Sequence, residues 1–270
     1  MSLLLCRREP VERPYYIEAL GIHVYSSQEL CYVIFNNPLL VMEEFADDAL
    51  IDFIRQQLDM AFVAERMKKL LETGCRDEEV LLLFMSECDY YTDQELLSFK
   101  SAAASYRKLR PEEYEKQRAD YFFYRHQYGK AALRYEKILD LEDEAKQGEA
   151  FLSEVYYSLG AAWAQMFQFQ KALNAYEKAY SLKPQEDVLK RIYFLGQFSP
   201  ELEIKGQYRS LFKEGLCEQW NQELSQAKLD GGQAAEVRKL RGLFGQDEAQ
   251  ALSGARALVQ KWKQEYRKMV

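Results

Sequence analysis

Residues 156–184, YYSLGAAWAQMFQFQKALNAYEKAYSLKP, decide the fold. Gly160 and Ala172 are small at the points where two antiparallel helices are expected to approach most closely. The space around these two residues is predicted to be filled by three aromatic side chains: Tyr156, Trp163 and Tyr176. Pro184 would stop the second helix, because proline lacks a backbone N–H and clashes with the preceding turn. The stretch therefore predicts a closely packed helical hairpin.

An internal repeat extends this pattern. Residues 128–137, YGKAALRYEK, match residues 169–178, FQKALNAYEK, with every aligned position offset by 41. Self-similarity of this kind is typical of stacked structural units. Each unit is a hairpin that cannot bury its own apolar face and needs a neighbour. The chain is therefore expected to contain at least two hairpins packed in series.

The downstream copy closely resembles the tetratricopeptide repeat, a helical-hairpin family. The places of the family signature are filled by acceptable residues: Tyr156, Leu159, Gly160, Trp163, Ala172, Tyr176, Ala179 and Pro184. The upstream copy keeps a smaller set: Ala119, Phe122, Ala131, Tyr135 and Ile138. Glu115 and Arg118 stand where the family usually has apolar residues, so the first helix of this copy is expected to be shifted or more exposed. The resemblance covers residues 113–198.

The chain departs from the family pattern in repeat length and in its third hairpin. The offset of 41 exceeds the usual repeat of about 34 residues, and the extra residues are placed in the acidic stretch 141–146. A third, degenerate hairpin is suggested by three residues: Leu195, Gly196 and Phe212. Tyr208, however, occupies a position that is normally small. Pro200 suits the first turn of a helix, and a further helix is predicted from Gln207 to Leu229, with a break at 230–232.

Residues 15–110 predict short helices after a small strand element. Residues 15–25 alternate partly and place Gly21 at a turn, which indicates one or two short strands. Capping boxes at residues 26–29 and 92–95 mark helix starts, because their hydroxyl and carboxylate groups satisfy otherwise unpaired amides. Four or five helices are expected between residues 26 and 109, and one of them should carry Phe62 and Met67 on its apolar face.

Together these patterns predict an all-α chain: an α-α superhelix, a solenoid like that of tetratricopeptide proteins, with flanking helices and a very short β element near residues 15–25. The predicted segments are a flexible arm at 1–14, a helical region at 15–110, the repeats at 111–198, and C-terminal helices with a degenerate repeat and cap at 199–270. The last helix is predicted from about Asp247 to Met269. Its apolar stripe is interpreted as packed core and comprises Leu252, Ala255, Leu258, Val259 and Trp262.

Composition and motifs narrow the class of protein. No apolar run approaches the ~18 residues of a bilayer span, so a cytoplasmic protein is expected. The net charge of −7 disfavours nucleic acid as a partner. The surplus of Lys and Arg in residues 232–270 is interpreted as a solvated helix face.

The cysteine and histidine residues do not have the spacing of a bonded or metal-binding site. The 5 cysteines show no Cys-x-x-Cys spacing, and the 2 histidines, His23 and His126, show no ligand spacing, so neither disulfides nor a metal site are predicted. Nucleotide-loop and nucleophile-elbow motifs are missing, and no cofactor is predicted.

The resemblance implies a concave groove lined by the first helix of each hairpin. By position, the implied partner-binding residues are Lys116, Asp120, Phe123, Tyr124, Tyr157, Ser158, Ala161, Gln165, Lys190 and Arg191. Aromatic residues and fixed charges there suit an extended or helical peptide. The carboxylate clamp of the chaperone-binding subfamily is not expected, because Asp120 and Ser158 stand in its Asn positions. We therefore expect a non-catalytic interaction module or scaffold that binds a protein or peptide segment.

Two alternatives stay open. A peptide-sensing regulator would use the same fold and tighten around a small ligand, but it would need an effector domain, and the N-terminal part has no helix-turn-helix signature. An enzyme would need a carboxylate site in the N-terminal helices. The acidic clusters at 47–48 and 140–144 lack ligand spacing and are interpreted as solvated charges. The sequence encodes neither the identity of the partner nor the oligomeric state in a readable pattern.

Overall fold

The computed structural model describes residues 9–43, 45–140, 148–244 and 248–270, the first two residues of the last range by their backbone only. Within these ranges the chain forms fifteen helices and one two-stranded sheet. The prediction of an all-α fold with a very short β element is confirmed. The chain divides into two compact units, Met1–Arg110 and Pro111–Val270, which are called unit 1 and unit 2 below.

Unit 1 begins with a hairpin of two short strands. β1 (Tyr15–Ile17) pairs antiparallel with β2 (Ile22–Val24). Gly21 turns the chain between them at φ 67°, in the left-handed region that glycine adopts without steric cost. Six helices follow: α1 (Ser27–Asn36), α2 (Pro38–Val41), α3 (Asp48–Gln56), α4 (Ala61–Glu72), α5 (Asp77–Glu87) and α6 (Asp93–Tyr106).

Both predicted capping sites start helices. Ser26 Oγ accepts a hydrogen bond from the Glu29 amide at 3.1 Å, but the Glu29 carboxylate accepts from the backbone N–H of Tyr25 at 2.6 Å instead of from that of Ser26. Thr92 and Glu95 form the complete reciprocal box at the start of α6. Both helix starts are therefore predicted correctly from sequence. The box at residues 26–29 departs from the predicted pattern only in that the Glu29 carboxylate accepts from the Tyr25 amide and not from the Ser26 amide.

The N-terminal arm is held against unit 1 along its described part. The Glu9 carboxylate accepts hydrogen bonds from the amide and the hydroxyl of Ser27, both at 2.6 Å. Gln57 Oε1 accepts from the backbone amides of Glu12 and Arg13 at 3.1 and 3.0 Å. Residues 9–13 thus make specific contacts instead of forming a loose arm. Residues 1–8 of that predicted segment lie outside the described residues.

Helix α4 corrects one predicted apolar face. Its buried residues are Val63, Ala64 and Met67, whereas Phe62 is 73% exposed and lies 5.6 Å from the Arg66 guanidinium. The placement of Phe62 on the apolar face is wrong. Residues three and four positions apart share a helix face. Val63 and Ala64 have that spacing from Met67, whereas Phe62 precedes it by five positions and falls to one side.

Unit 2 consists of serially packed helices. They are α7 (Pro111–Tyr124), α8 (Tyr128–Leu139), α9 (Glu149–Gln165), α10 (Phe169–Leu182), α11 (Glu186–Phe198), α12 (Gly206–Arg209), α13 (Glu214–Gly232), α14 (Ala235–Leu243) and α15 (Glu248–Met269). Helices α7 and α8 pack as one hairpin and α9 and α10 as another, α8 also contacts α9, and α10 contacts α11. The predicted insertion at 141–146 lies outside the described residues.

The two hairpins turn in the same way. His126 and Phe167, which the sequence repeat aligns, both have φ 60°. The next residue closes each turn: the Gln127 amide donates to the carbonyl of Phe122 at 3.0 Å, and the Gln168 amide donates to that of Trp163 at 2.9 Å. This six-to-one bond after a left-handed residue is the Schellman arrangement that ends many helices. The sequence repeat is thus also a repeat of backbone structure.

Helices α9 and α10 approach closely at Gly160. A Cβ atom added there would lie 2.8 Å from Cδ1 of Tyr176, and both residues are buried. Any side chain at this position would displace the Tyr176 ring. The predicted role of Gly160 as the small residue of the hairpin agrees with this packing.

The first hairpin buries charge where the sequence predicts exposure. Glu115 and Arg118 on α7 are buried. The Glu115 carboxylate accepts from Arg134 at 2.9 Å, from Lys137 at 3.4 Å and from Arg118 at 3.5 Å. The expectation of a shifted or exposed helix is therefore wrong, because cations from α8 neutralise the carboxylate inside the hairpin. Burial alone would raise the pKa of Glu115, but these cations, Arg134 above all, outweigh it and lower the pKa.

The third hairpin lacks a full second helix. Residues 200 and 201 form a turn, so Pro200 does not open a helix, and α12 has only four residues. Tyr208 in α12 is buried, and its hydroxyl donates to the carbonyl of Glu177 at 3.3 Å.

The longer helix α13 begins after a break at 210–213 and ends at Gly232. The prediction of a single helix starting at Gln207 and the prediction of a break at 230–232 are therefore both wrong. Trp220 of α13 is buried with its ring 5.4 Å from that of Tyr193.

The last helix is formed as predicted, but its apolar stripe is not core. Leu252 is 53% exposed, and Val259 and Trp262 are also exposed. Helix α15 is held by α14 and α8, and the Tyr266 hydroxyl donates to the carbonyl of Met166 at 3.5 Å. The interpretation of the stripe as packed core is therefore wrong for these three residues.

The contact at Gly160 gives a stability prediction. Gly160→Leu should lower the free energy of unfolding by about 1–3 kcal/mol or more, because overpacking forces Tyr176 and the two helices apart. Gly215→Leu is the matched control, since no atom lies within 4 Å of a Cβ added at Gly215. Denaturant titration monitored by circular dichroism measures both variants. Equal stability of the two would show that α9 and α10 are not packed through Gly160.

The Glu115 cluster gives a pH prediction. A lowered folded-state pKa stabilises the protein above the ordinary Glu pKa of about 4.3, and this contribution is lost as pH falls through the folded-state value. Glu115→Gln should therefore cost about 1–3 kcal/mol at pH 7, because Arg118 and Arg134 lose their charged acceptor. This cost should shrink as the pH falls through the lowered folded-state pKa of Glu115. Thermal unfolding from pH 3 to pH 7 tests this, with the exposed Glu218→Gln as control. A cost that does not change with pH would contradict the ion-pair explanation.

Candidate functional site

Unit 2 contains a cavity of about 520 Å³ between the first helices of successive hairpins. Its walls come from α7, α9 and α11, with the start of α10 at one side. The lining residues are Phe123, Ala161, Ala164, Gln165, Phe167, Phe169, Tyr176, Arg191, Phe194, Leu195 and Phe198. Four residues of the predicted groove are among them: Phe123, Ala161, Gln165 and Arg191. Cavities of this size, mostly apolar with a few polar groups, are typical of ligand sites.

The buried wall of the cavity is set by the hairpin packing. Tyr176 is buried because Gly160 leaves room for its ring. The ring of Tyr157 lies 5.7 Å from that of Tyr176 at a tilt of 55°. Burial, the largest influence, raises the pKa of Tyr176, so its hydroxyl stays protonated at neutral pH. The wall is therefore an uncharged aromatic surface.

Arg191 brings a positive charge to this aromatic surface. Its Nε donates a hydrogen bond to the Tyr157 hydroxyl at 3.1 Å. Burial alone would lower the pKa of Arg191, but the hydrogen bond and electrostatic attraction to Tyr157, with smaller contributions from Tyr176 and the Asp187 carboxylate, outweigh it and raise the pKa. No salt bridge to Arg191 occurs within residues 9–43, 45–140, 148–244 and 248–270. The guanidinium is thus fixed in orientation through Nε and has no salt bridge, although the charge of the exposed Asp187, one turn earlier on α11, acts on it.

Two exposed phenylalanines form the rim of the cavity. Phe167 is 69% exposed and stands in the left-handed turn between α9 and α10, and Phe198, 59% exposed, ends α11. Neither residue was predicted from sequence, and neither were Phe169 and Phe194. A usable signal was present, because residues 194–198 read FLGQF and residues 167–169 read FQF. Exposed apolar side chains that cluster around a cavity often mark an interaction site.

Three predicted groove residues, Lys116 and Asp120 of α7 and Ser158 of α9, belong instead to a polar network around the Tyr135 hydroxyl. Asp120 accepts from the Tyr135 hydroxyl at 2.5 Å and from Lys116 Nζ at 3.0 Å. Ser158 lies within hydrogen-bonding reach of the same phenol. Burial first, and the hydrogen bond to Asp120 second, raise the pKa of Tyr135. Lys116 and Asp120 therefore neutralise each other before any partner binds.

The remaining predicted residues lie beside the cavity without lining it. Tyr124 is 80% exposed at the end of α7. Lys190 is paired with Glu223 of α13, and its Nζ lies 5.7 Å from the ring of Phe194. Tyr157 does not line the cavity, but its hydroxyl accepts the hydrogen bond that orients the lining residue Arg191. The structure thus brings Phe123, Ala161, Gln165 and Arg191 together and leaves the other predicted residues outside the lining.

In unit 1, the acidic groups have structural partners. Among its described residues, Glu78 is the one buried carboxylate, and it accepts from Arg107 at 3.0 and 2.9 Å. Burial alone would raise the pKa of Glu78, but the Arg107 hydrogen bonds outweigh it and lower the pKa. Asp47 accepts from the Leu50 amide at 2.8 Å as the N-cap of α3. The acidic run predicted at 140–144 lies outside the described residues except for Asp140.

A search of the described residues for a helix that is long and apolar enough to cross a membrane finds none. Comparison of the chain with protein-family models, with curated proteins and with solved structures finds no match.

Proposed function

We propose that unit 2 is a tetratricopeptide-type array and that the protein is a non-catalytic interaction module that binds a segment of another protein. The observation that carries the proposal is the aromatic cavity between α7, α9 and α11. It lies where the concave groove of such an array would lie.

We further propose that the protein acts in the cytoplasm. This is in keeping with the free thiols of Cys31, Cys75, Cys88 and Cys217, because disulfides form mainly in oxidising compartments.

The assignment to the tetratricopeptide type is supported by three independent features of unit 2. The hairpin turns repeat in dihedral angle and hydrogen bonding at the aligned residues His126 and Phe167. Gly160 contacts Tyr176 as the family signature requires. Each hairpin also packs on the next through its second helix, which is how repeats share one core.

A protein segment suits the cavity better than a compact folded surface does. The cavity is lined by residues from α7, α9 and α11, so an elongated ligand can touch all three helices. Exposed aromatic rings such as Phe167 and Phe198 supply large contact areas at low cost in side-chain entropy. Residues of this type dominate the binding energy of many interfaces.

The test is to fill the cavity and look for loss of a partner. Ala161→Leu should block it, because Ala161 lines the cavity and is only partly exposed. Affinity capture from the native cell extract should then lose a protein that the wild type retains. A truncation should have the same effect: Phe123→Ala removes one aromatic wall and should weaken binding by ~2 kcal/mol or more if it is a hot spot.

Ala227→Leu is the matched control, since Ala227 is exposed on α13 and away from the lining. Circular dichroism and thermal unfolding must show that all variants keep the parent fold. If the captured proteins are the same for Ala161→Leu and Ala227→Leu, the cavity is not the binding site. The exposed stripe of α15 would then be the next surface to vary.

A further inference from the structure

We infer that the cavity selects a segment in which a large apolar side chain stands next to an acidic residue, whose carboxylate binds the Arg191 guanidinium. This inference rests on the proposed function and specifies its partner. It depends on the apolar lining, on the charge of Arg191 and on the contact that orients Arg191.

The lining dictates the apolar half of the ligand. Six of the eleven lining residues are aromatic, and three more are alanine or leucine. Only Gln165 and Arg191 offer polar side chains besides the Tyr176 hydroxyl. A polar ligand group placed against the rings would lose its water without gaining hydrogen bonds, which is unfavourable. A ring or a branched aliphatic chain would gain both apolar burial and ring contacts.

The charge of Arg191 dictates the acidic half. Other cations of the predicted groove are already neutralised, Lys116 by Asp120 and Lys190 by Glu223. Arg191 differs, because none of the salt bridges among the described residues includes it. The exposed Asp187 on the same helix acts on it through its charge without forming a salt bridge. Of the eleven lining residues, it is the one that carries a charge. A carboxylate is the natural ligand for a guanidinium that lies beside apolar walls, since the pair can form two parallel hydrogen bonds.

The orientation of Arg191 favours that pairing. Nε is occupied by the Tyr157 hydroxyl at 3.1 Å, and the two Nη groups remain as donors. Tyr157 is itself positioned against Tyr176, whose place is fixed by Gly160. The guanidinium plane is thus set before a ligand arrives, which lowers the entropy lost on binding. Tyr157 is a positioning residue in this arrangement.

The inference can be tested with a panel of short peptides of defined sequence. The probes are fluorescein-labelled octapeptides, amidated at the C-terminus, with a central Phe-Asp, Asp-Phe, Phe-Asn, Phe-Lys or Ala-Asp pair in a Gly-Ser background. Fluorescence anisotropy measures binding to the full chain. At least one Phe/Asp order should bind about tenfold or more tightly than Phe-Asn and Ala-Asp, and binding should weaken as salt rises.

Variants assign the selectivity to Arg191. Arg191→Gln should abolish the preference for Asp over Asn while the Phe-dependent part of binding remains. Tyr157→Phe keeps the ring but removes the oxygen that orients Arg191, and it should reduce the preference partially. Arg209→Gln is the charge-matched control on an exposed residue of α12. Ala161→Leu should eliminate binding of every peptide that uses the cavity.

The outcomes separate this inference from the proposed function. If Phe-Asn binds as tightly as Phe-Asp, or if Arg191→Gln keeps the Asp preference, the inference is overturned. Binding that still requires an open cavity at Ala161 would leave the proposed function standing. Failure of every peptide in the panel also overturns the inference, and the capture experiment then decides the proposed function alone. Free 3-phenylpropionate that binds as tightly as the best peptide would reassign the cavity to small acids and overturn it as well.

Discussion

The contact between Gly160 and the ring of Tyr176 is the constraint on which the rest of unit 2 depends. It sets the closest approach of α9 and α10, because any side chain at Gly160 would occupy the place of the ring. The ring in turn forms one wall of the cavity and supports Tyr157 at 5.7 Å. Tyr157 holds Arg191 by a hydrogen bond of 3.1 Å. The absence of a side chain at Gly160 thus helps to determine where the positive charge of Arg191 lies beside the cavity.

The two hairpins share their backbone but differ in what fills them. Both end their first helix with the same left-handed turn. The second hairpin packs through small and aromatic residues, whereas the first encloses Glu115 among Arg118, Arg134 and Lys137. Buried ion pairs stabilise little over a well-packed apolar core. They do make the pairing of α7 with α8 specific, because a shifted helix would leave these charges without partners.

The same difference divides the predicted groove residues into a paired set and an open set. Lys116 and Asp120 of α7 pair with each other, and Asp120 also accepts from Tyr135 of α8. On α9 and α11, the surface that lines the cavity includes Ala161, Phe194 and Arg191, which forms no salt bridge with the described residues. The capacity to bind charge is therefore concentrated in the second and third hairpins. This asymmetry favours a ligand whose acidic group lies at one end of its contact surface.

The sequence revealed the second hairpin because every feature of it is local. Gly160, Trp163 and Ala172 lie within one repeat, at spacings that helix geometry fixes. The Glu115 cluster was not predictable in this way, because its partners are 19 and 22 residues away and join it only after the hairpin closes. The large residue Tyr208, at a position that is normally small, indicated that the third hairpin is degenerate. The sequence does not show that Trp220 of α13 packs against Tyr193 of α11. Of the predicted groove residues, Phe123, Ala161, Gln165 and Arg191 line the cavity, whereas Lys116 and Asp120 pair with each other outside its lining.

Arg191 is a charged side chain that the fold orients beside an apolar cavity. It lies among six aromatic lining residues, and its Nε is held by the Tyr157 hydroxyl. The contact with Tyr157 and the charge of Asp187 outweigh the effect of burial and raise the pKa of Arg191, so the guanidinium stays charged within the fold. No carboxylate of the described residues forms a salt bridge with it, and its two Nη groups can therefore donate to a further acceptor. Under the proposed function that acceptor is a carboxylate of the partner, so selectivity for an acid depends on the same packing of Gly160, Tyr176 and Tyr157 that shapes the cavity.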